Sequence, residues 1–159
     1  MLYYTHLEDY IKKIYTSIGI NKPEQLKRYS IASELGITLY TFNGASEGVY
    51  SNGRQYIFLN RNLTSEEQWQ EFGHELCHVL RHAGNQKKMS RLFIEYQEWQ
   101  ADNFALHFCV PTFMLRAMSL PRDRKQAIWE IQMAFNVTYE FAKIRLEKFS
   151  QKHAYAMLS

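Results

Sequence analysis

Residues 74 to 78 read HELCH, two histidines four positions apart with a glutamate directly after the first. On a helix that spacing is about one turn, so both imidazoles can reach one tetrahedral Zn²⁺ at about 2.0 to 2.1 Å. Glu75 then projects beside the ion, where a carboxylate can take a proton from an attacking water and pass it to a leaving amine. At about 100° per residue, His74, Glu75 and His78 share one sector of the helix, while Trp69, Phe72, Leu76, Val79, Leu80 and Ala83 fill the opposite side. One face is chemistry and the other is core.

A catalytic zinc takes three protein ligands and keeps a position for water, so a further donor is needed. His82 lies eight residues beyond His74, about 12 Å along the same axis, too far for one ion. The longer H-E-x-x-H-x-x-G-x-x-H pattern also fails, with Arg81 at its glycine and Gly84 at its third histidine. The third ligand is therefore expected to be a carboxylate. The segment EYQEWQAD offers Glu95, Glu98 and Asp102 within about 60° of one another on a helix. Ile94, Ala105 and Cys109 share that arc, which favours a metal role over a freely solvated acidic face.

The elements that must hold these residues follow from patterning. Leu7, Tyr10, Ile11, Ile14, Tyr15 and Ile18 recur at helical spacing. Asn21 with Glu24 and Pro23 opens a second helix that Gly36 closes. ITLYTF, EGVYS and QYIFLN read as three mainly antiparallel strands, the last two joined at Asn52-Gly53. Thr64 and Glu67 form a capping box for a helix from Ser65 to Ala83, with Gly84 as its C-cap. A long helix runs from near Ser90 to Pro111, and shorter helical segments follow. The fold class is α+β, mainly helical with a small three-stranded antiparallel sheet. One domain is expected over 1–159, as a catalytic body (1–110) and a helical C-terminal subdomain (111–159).

From Tyr56 to Leu115 the chain closely resembles the ImmA/IrrE family of metallopeptidases. The match runs through IFLN, FGHELCH, a further histidine at 82, EWQADNFA and FCVP in order, which is far more specific than H-E-x-x-H alone. The resemblance implies a zincin-like, gluzincin-type arrangement in which Glu98 is the third ligand and Asp102 orients His74. Glu95 is the alternative ligand. Gln100 stands where family members often carry a competing glutamate, and this departure favours Glu98. By analogy with zincins, the Gln55 to Asn60 strand offers its edge to an extended substrate. His82, Tyr96 and His107 are candidates for substrate or transition-state contacts, with simple packing as the competing reading of each. Zinc is the default metal, although the same donors accept manganese or iron.

The resemblance further implies a protein substrate, typically a helix-turn-helix repressor of a phage or integrative element. The rival from another class is a non-catalytic regulator of the same scaffold that binds a repressor or DNA. Overall charge is +3, but the C-terminal stretch from Pro111 holds eight Lys/Arg against four acids. That stretch contains a helix-turn-helix-like pair turning at Phe135 to Thr138, with Arg145 and Lys148 on its second helix. Ile128, Ile131, Phe135, Phe141, Ile144 and Phe149 suit packing equally, and packing or partner docking ranks ahead of DNA binding. No apolar run is long enough for a membrane span, and no secretion signal opens the chain. Cys77 and Cys109 read as buried thiols rather than a disulfide, as expected in the cytoplasm.

Overall fold

A computed structural model describes residues 5–81 and 90–158, with the side chains of the last helix described through Lys152. The elements are α1 (His6–Ser17), a short 3-10 turn (Pro23–Gln25), α2 (Arg28–Glu34), β1 (Ile37–Phe42), β2 (Glu47–Ser51) and β3 (Arg54–Asn60). They continue with α3 (Ser65–Arg81), α4 (Arg91–Cys109), α5 (Thr112–Ala117), α6 (Arg124–Phe135) and α7 (Tyr139–Leu158). The fold is α+β and mainly helical, as expected. Contacts divide the chain into two compact units, Lys27–Ala105 and Met1–Leu26 with Leu106–Ser159.

In the first of these units the sheet order is β1-β3-β2. β2 and β3 pair antiparallel through a turn in which Asn52 and Gly53 both take positive φ, the backbone a two-residue hairpin requires. β1, however, pairs parallel with β3, from Ile37 opposite Gln55 to Phe42 opposite Asn60, so the sheet is mixed rather than antiparallel throughout. β3 carries Ile57 and Leu59, both fully buried, and takes the centre, where it has a neighbour on each side. The expectation that β3 offers a free edge therefore fails, and β2 and β1 are the edges.

The expected second helix is also interrupted. Pro23 to Gln25 forms the 3-10 turn, and α2 starts only at Arg28; Gly36 ends the segment at φ +72°. α3 starts on the expected capping box, with the Thr64 amide donating to Glu67 (2.9 Å) and the Glu67 amide to the Thr64 hydroxyl (3.2 Å). Its buried face carries Trp69, Phe72, Leu76 and Cys77. Ala83 and the expected cap Gly84 lie outside the described residues.

The other unit is helical. Tyr15 on α1 donates its hydroxyl to the Phe108 carbonyl (2.6 Å) and stacks on the Phe108 ring. Arg145 on α7 is 1% exposed; its Nε donates to the Val110 carbonyl (2.9 Å) and its Nη2 to the Thr112 hydroxyl (2.8 Å). Thr112 in turn donates to Glu8, whose other carboxylate oxygen accepts from Lys152. Burial pushes the Glu8 carboxyl up, but Lys152, the Thr5 amide and Thr112 together hold it below its ordinary value. Arg145 Nε and Nη2, the Thr112 hydroxyl and both Glu8 carboxylate oxygens are thus hydrogen-bonded, which is the condition for burying such groups.

Arg145 thus braces α1, α5 and α7 and cannot reach a nucleic-acid phosphate, contrary to its reading as a basic contact on the second helix. The α6–α7 turn itself forms as expected, with Asn136 left-handed at φ 55° and the Thr138 hydroxyl accepting from the Phe141 amide. Ile128, Ile131 and Phe135 are core, whereas Ile144 lies on the outer face.

Candidate metal centre

α3 presents His74 and His78 one turn apart, and α4 presents Glu98 and Asp102 one turn apart. The four side chains meet. His74 Nε2 lies 2.9 Å from Glu98 Oε2 and 3.2 Å from His78 Nε2, and His78 Nε2 lies 2.8 Å from Glu98 Oε1. One donor atom from each of His74, His78 and Glu98 falls within 4.8 Å of the other two. On the far side of its ring, His74 Nδ1 sits 2.8 Å from Asp102 Oδ1.

The protons available to these side chains decide whether the cluster suits a cation. The Asp102 carboxylate is an acceptor, so His74 places its proton on Nδ1, which leaves an unshared pair on Nε2. That pair faces a carboxylate oxygen and a second imidazole nitrogen. With both imidazoles neutral, as metal ligation requires, at most one proton, on His78, serves the three converging donor atoms, and hydrogen bonding alone leaves lone pairs opposed. A shared cation resolves the conflict, and the spacings of 2.8 to 3.2 Å approach the roughly 3.3 Å edge of a tetrahedron of ligands at 2.0 to 2.1 Å. The residues fit a divalent metal with imidazole and carboxylate preferences.

Glu75 is the fifth member. Its Oε2 accepts from the Gly48 amide at 2.8 Å, so an edge-strand N–H that makes no bond to β3 is spent on this carboxylate. Burial raises the Glu75 carboxyl to about 7; His74 and the Gly48 amide oppose that rise, while Glu98 and Glu71 add to it. A carboxyl near neutrality can both take and return a proton at physiological pH.

Gly48 was not singled out from the sequence. A Cβ at this position would lie 2.8 Å from Val79 Cγ2 and 3.1 Å from the Glu75 carbonyl, so the absence of a side chain is what lets β2 approach α3. The available signal was a glycine inside a short alternating strand, EGVYS, which marks close backbone approach.

The remaining sequence candidates separate. Glu95 is exposed and pairs with Arg91 on its own helix at 3.0 Å, so it is not brought to the cluster. Tyr96 stands on the exposed side of α4, its hydroxyl accepting from Gln100 and its ring stacked on Trp99. His107 belongs to the other unit, and His82 lies outside the described residues. Cys77 is buried, which pushes its thiol up to about 12, with Arg81 opposing and Glu98 adding. Neither cysteine is in a disulfide. No helix among the described residues is long and apolar enough to cross a membrane.

Comparison with known proteins gives the site its setting. The family model described as the IrrE N-terminal-like domain, a peptidase family, matches residues 32–147. The chain belongs to this family. With that membership it is a metallopeptidase-type domain, and the His-His-Glu cluster lies inside the matched region. The phage-like element PBSX protein XkdA of Bacillus subtilis (strain 168) is 47% identical over 152 residues, covering 96% of this chain and 77% of that protein. The uncharacterized protein YqaB of the same strain is 38% identical over 148 residues, covering 93% and 86%. A solved Mycobacterium tuberculosis transcriptional regulator shares the fold at TM-score 0.61 and 17% identity over 90% of this chain. This chain spans 56% of that structure's length.

Proposed function

We propose that the chain is a zinc-dependent endopeptidase in which His74, His78 and Glu98 hold the metal, Asp102 fixes the His74 tautomer and Glu75 is the general base. The observation that carries this reading is the convergence of two imidazole nitrogens and the Glu98 carboxylate on one point, backed by a carboxylate on the outer nitrogen of His74. A zinc ion held there would polarise the scissile carbonyl and acidify water. Glu75 takes the proton of the attacking water on a carboxylate oxygen and delivers it to the departing amine nitrogen. The Gly48 amide keeps that carboxylate aimed. The edge of β2, beside Glu75, is the strand that can pair with an extended substrate, in place of β3.

The substrate in this reading is a helix-turn-helix repressor of a phage or integrative element, cut in the cytoplasm. The resemblance to XkdA of a phage-like element supports that setting. Purified protein with zinc should cut the repressor encoded beside its own gene at a discrete position, and Glu75→Gln should abolish the cut while retaining metal. An uncut repressor across zinc, manganese and iron would overturn the substrate assignment. Full antirepressor effect from metal-loaded Glu75→Gln in cells would instead favour the non-catalytic regulator.

A further inference from the structure

α4 has three faces, and the core and the metal cluster use two of them. With Glu98 as origin and about 100° per residue, Gln97, Ala101, Phe104 and Ala105 fall between about 240° and 340°, and all four are buried. Glu98 and Asp102 take the sector from 0° to about 40°. Trp99, Leu92 and Tyr96 share the arc from about 100° to 160°, with Phe93 on its far flank. Those four side chains are 61%, 79%, 52% and 47% exposed, a run of large apolar groups left to solvent directly beside the metal sector. Tyr96 and Trp99 stack with ring centroids 6.3 Å apart and 18° between planes, so the two rings form one surface. Alongside them Arg91 and Glu95 satisfy each other at 3.0 Å, which leaves the stripe to recognise apolar groups rather than charge.

The area available decides among occupants. Covering an aromatic side chain removes roughly 150 to 250 Å² from water, so at these exposures the stripe offers about 400 to 500 Å². That is at the level of the patches that mark interaction sites on monomers. It falls short of the roughly 800 Å² a side of a stable pair of copies, and suits the weaker grip on a chain that must leave once cut. A peptide whose scissile carbonyl lies at the cluster, and which runs along α4 toward the start of that helix, crosses Trp99 first. From Trp99 back to Leu92 the helix spans about 10 Å, the length of about three extended residues. We propose that Trp99, Tyr96 and Leu92 are the specificity surface of the peptidase site, gripping large apolar side chains of the substrate a few residues to one side of the scissile bond; this rests on the peptidase reading above.

The test exposes the zinc-loaded full chain to a proteome-derived peptide library and reads the cut sites by mass spectrometry. Leu, Ile, Met or Phe should be enriched about two to five residues to one side of the cut. On a peptide taken from that set, Trp99→Gln combined with Tyr96→Gln should raise KM about tenfold with a much smaller effect on kcat, as loss of binding shared by ground and transition states predicts. Glutamine is a good helix former, so the variant should stay folded by circular dichroism and keep the parent's zinc. Trp129→Gln, similarly exposed but on α6 of the other unit, should change neither constant. Cut sites without apolar enrichment, a KM untouched by the double change, or a fall confined to kcat would overturn the inference and leave the peptidase reading intact. So would a parent dimer in sedimentation that Trp99→Gln dissociates, which would assign the stripe to a second copy. Identical peptides from the zinc-loaded parent and from Glu75→Gln would remove the peptidase reading itself, and this inference with it.

Discussion

Gly48→Ala addresses the least expected part of the site. The added methyl would start 2.8 Å from Val79 Cγ2 and 3.1 Å from the Glu75 carbonyl, where carbon atoms settle at about 3.5 Å or more. Restoring that distance moves β2 away from α3 by roughly 0.7 Å if the helix holds still. The amide-to-Glu75 separation of 2.8 Å would then approach 3.5 Å, beyond useful hydrogen bonding. Overpacking of this kind costs about 1 to 3 kcal/mol. In a chain of this size that is a fall in Tm of roughly 2 to 12 °C. Because the Gly48 hydrogen bond opposes the upward push of burial on Glu75, losing it raises that carboxyl further above about 7 and leaves less of it ionised at neutral pH. Repressor cleavage should fall by roughly ten- to a hundredfold with metal content unchanged, as expected for a misplaced base beside an intact ligand set. Adding Val79→Ala removes the shorter contact but not the one to the helix backbone, so it should recover part of the Tm and little of the rate. Thermal unfolding and a timed cleavage assay measure both. A Gly48→Ala protein with parental Tm and rate would refute the close-approach account.

Arg145→Ala should destabilise the chain by about 3 to 5 kcal/mol, because it strips two charge-assisted hydrogen bonds from buried acceptors; denaturant unfolding would read it, and a loss under 1 kcal/mol would contradict the brace. Glu8 has a folded value below its ordinary 4.5, so its contribution is fully present above that pH and disappears as pH falls through the folded value. The Tm difference between the parent and Glu8→Gln should therefore shrink as pH falls through that lowered value, and a difference independent of pH would count against the Lys152–Glu8–Thr112 chain. Cys77, with its thiol pushed up to about 12, should resist iodoacetamide in the native protein near pH 8 and react once denatured. Native alkylation at the denatured rate would show that the thiol is not buried.

Local signals in the sequence carried most of the elements. The Thr64/Glu67 box placed the start of α3, Asn52-Gly53 placed the β2–β3 turn, and helical spacing put His74 and His78 on one face. Each depends on interactions within about four residues, which a sequence displays directly. What was not legible depends on partners far apart in the chain. Nothing in ITLYTF says whether it lies beside β2 or β3, because a run rich in β-branched and aromatic residues pairs either way. The break at Leu26 and Lys27 has no strong local marker beyond Pro23. Arg145 reads as a solvated cation until Val110, Thr112 and Glu8 are brought around it. Spacing alone left Glu95, Glu98 and Asp102 as equals; family resemblance separated them. Their contacts in space differ accordingly, with Glu95 on Arg91, Asp102 on His74 Nδ1, and Glu98 between the two imidazoles.

The most direct measurement is bound metal per chain for the parent protein beside His78→Ala, Glu98→Ala and Glu95→Ala, by elemental analysis after dialysis against a weak chelator. The parent and Glu95→Ala should each retain close to one zinc per chain, while His78→Ala and Glu98→Ala lose it and stay folded by circular dichroism. Full zinc retention in Glu98→Ala, or a parent protein that binds no divalent metal at all, would contradict the proposed centre.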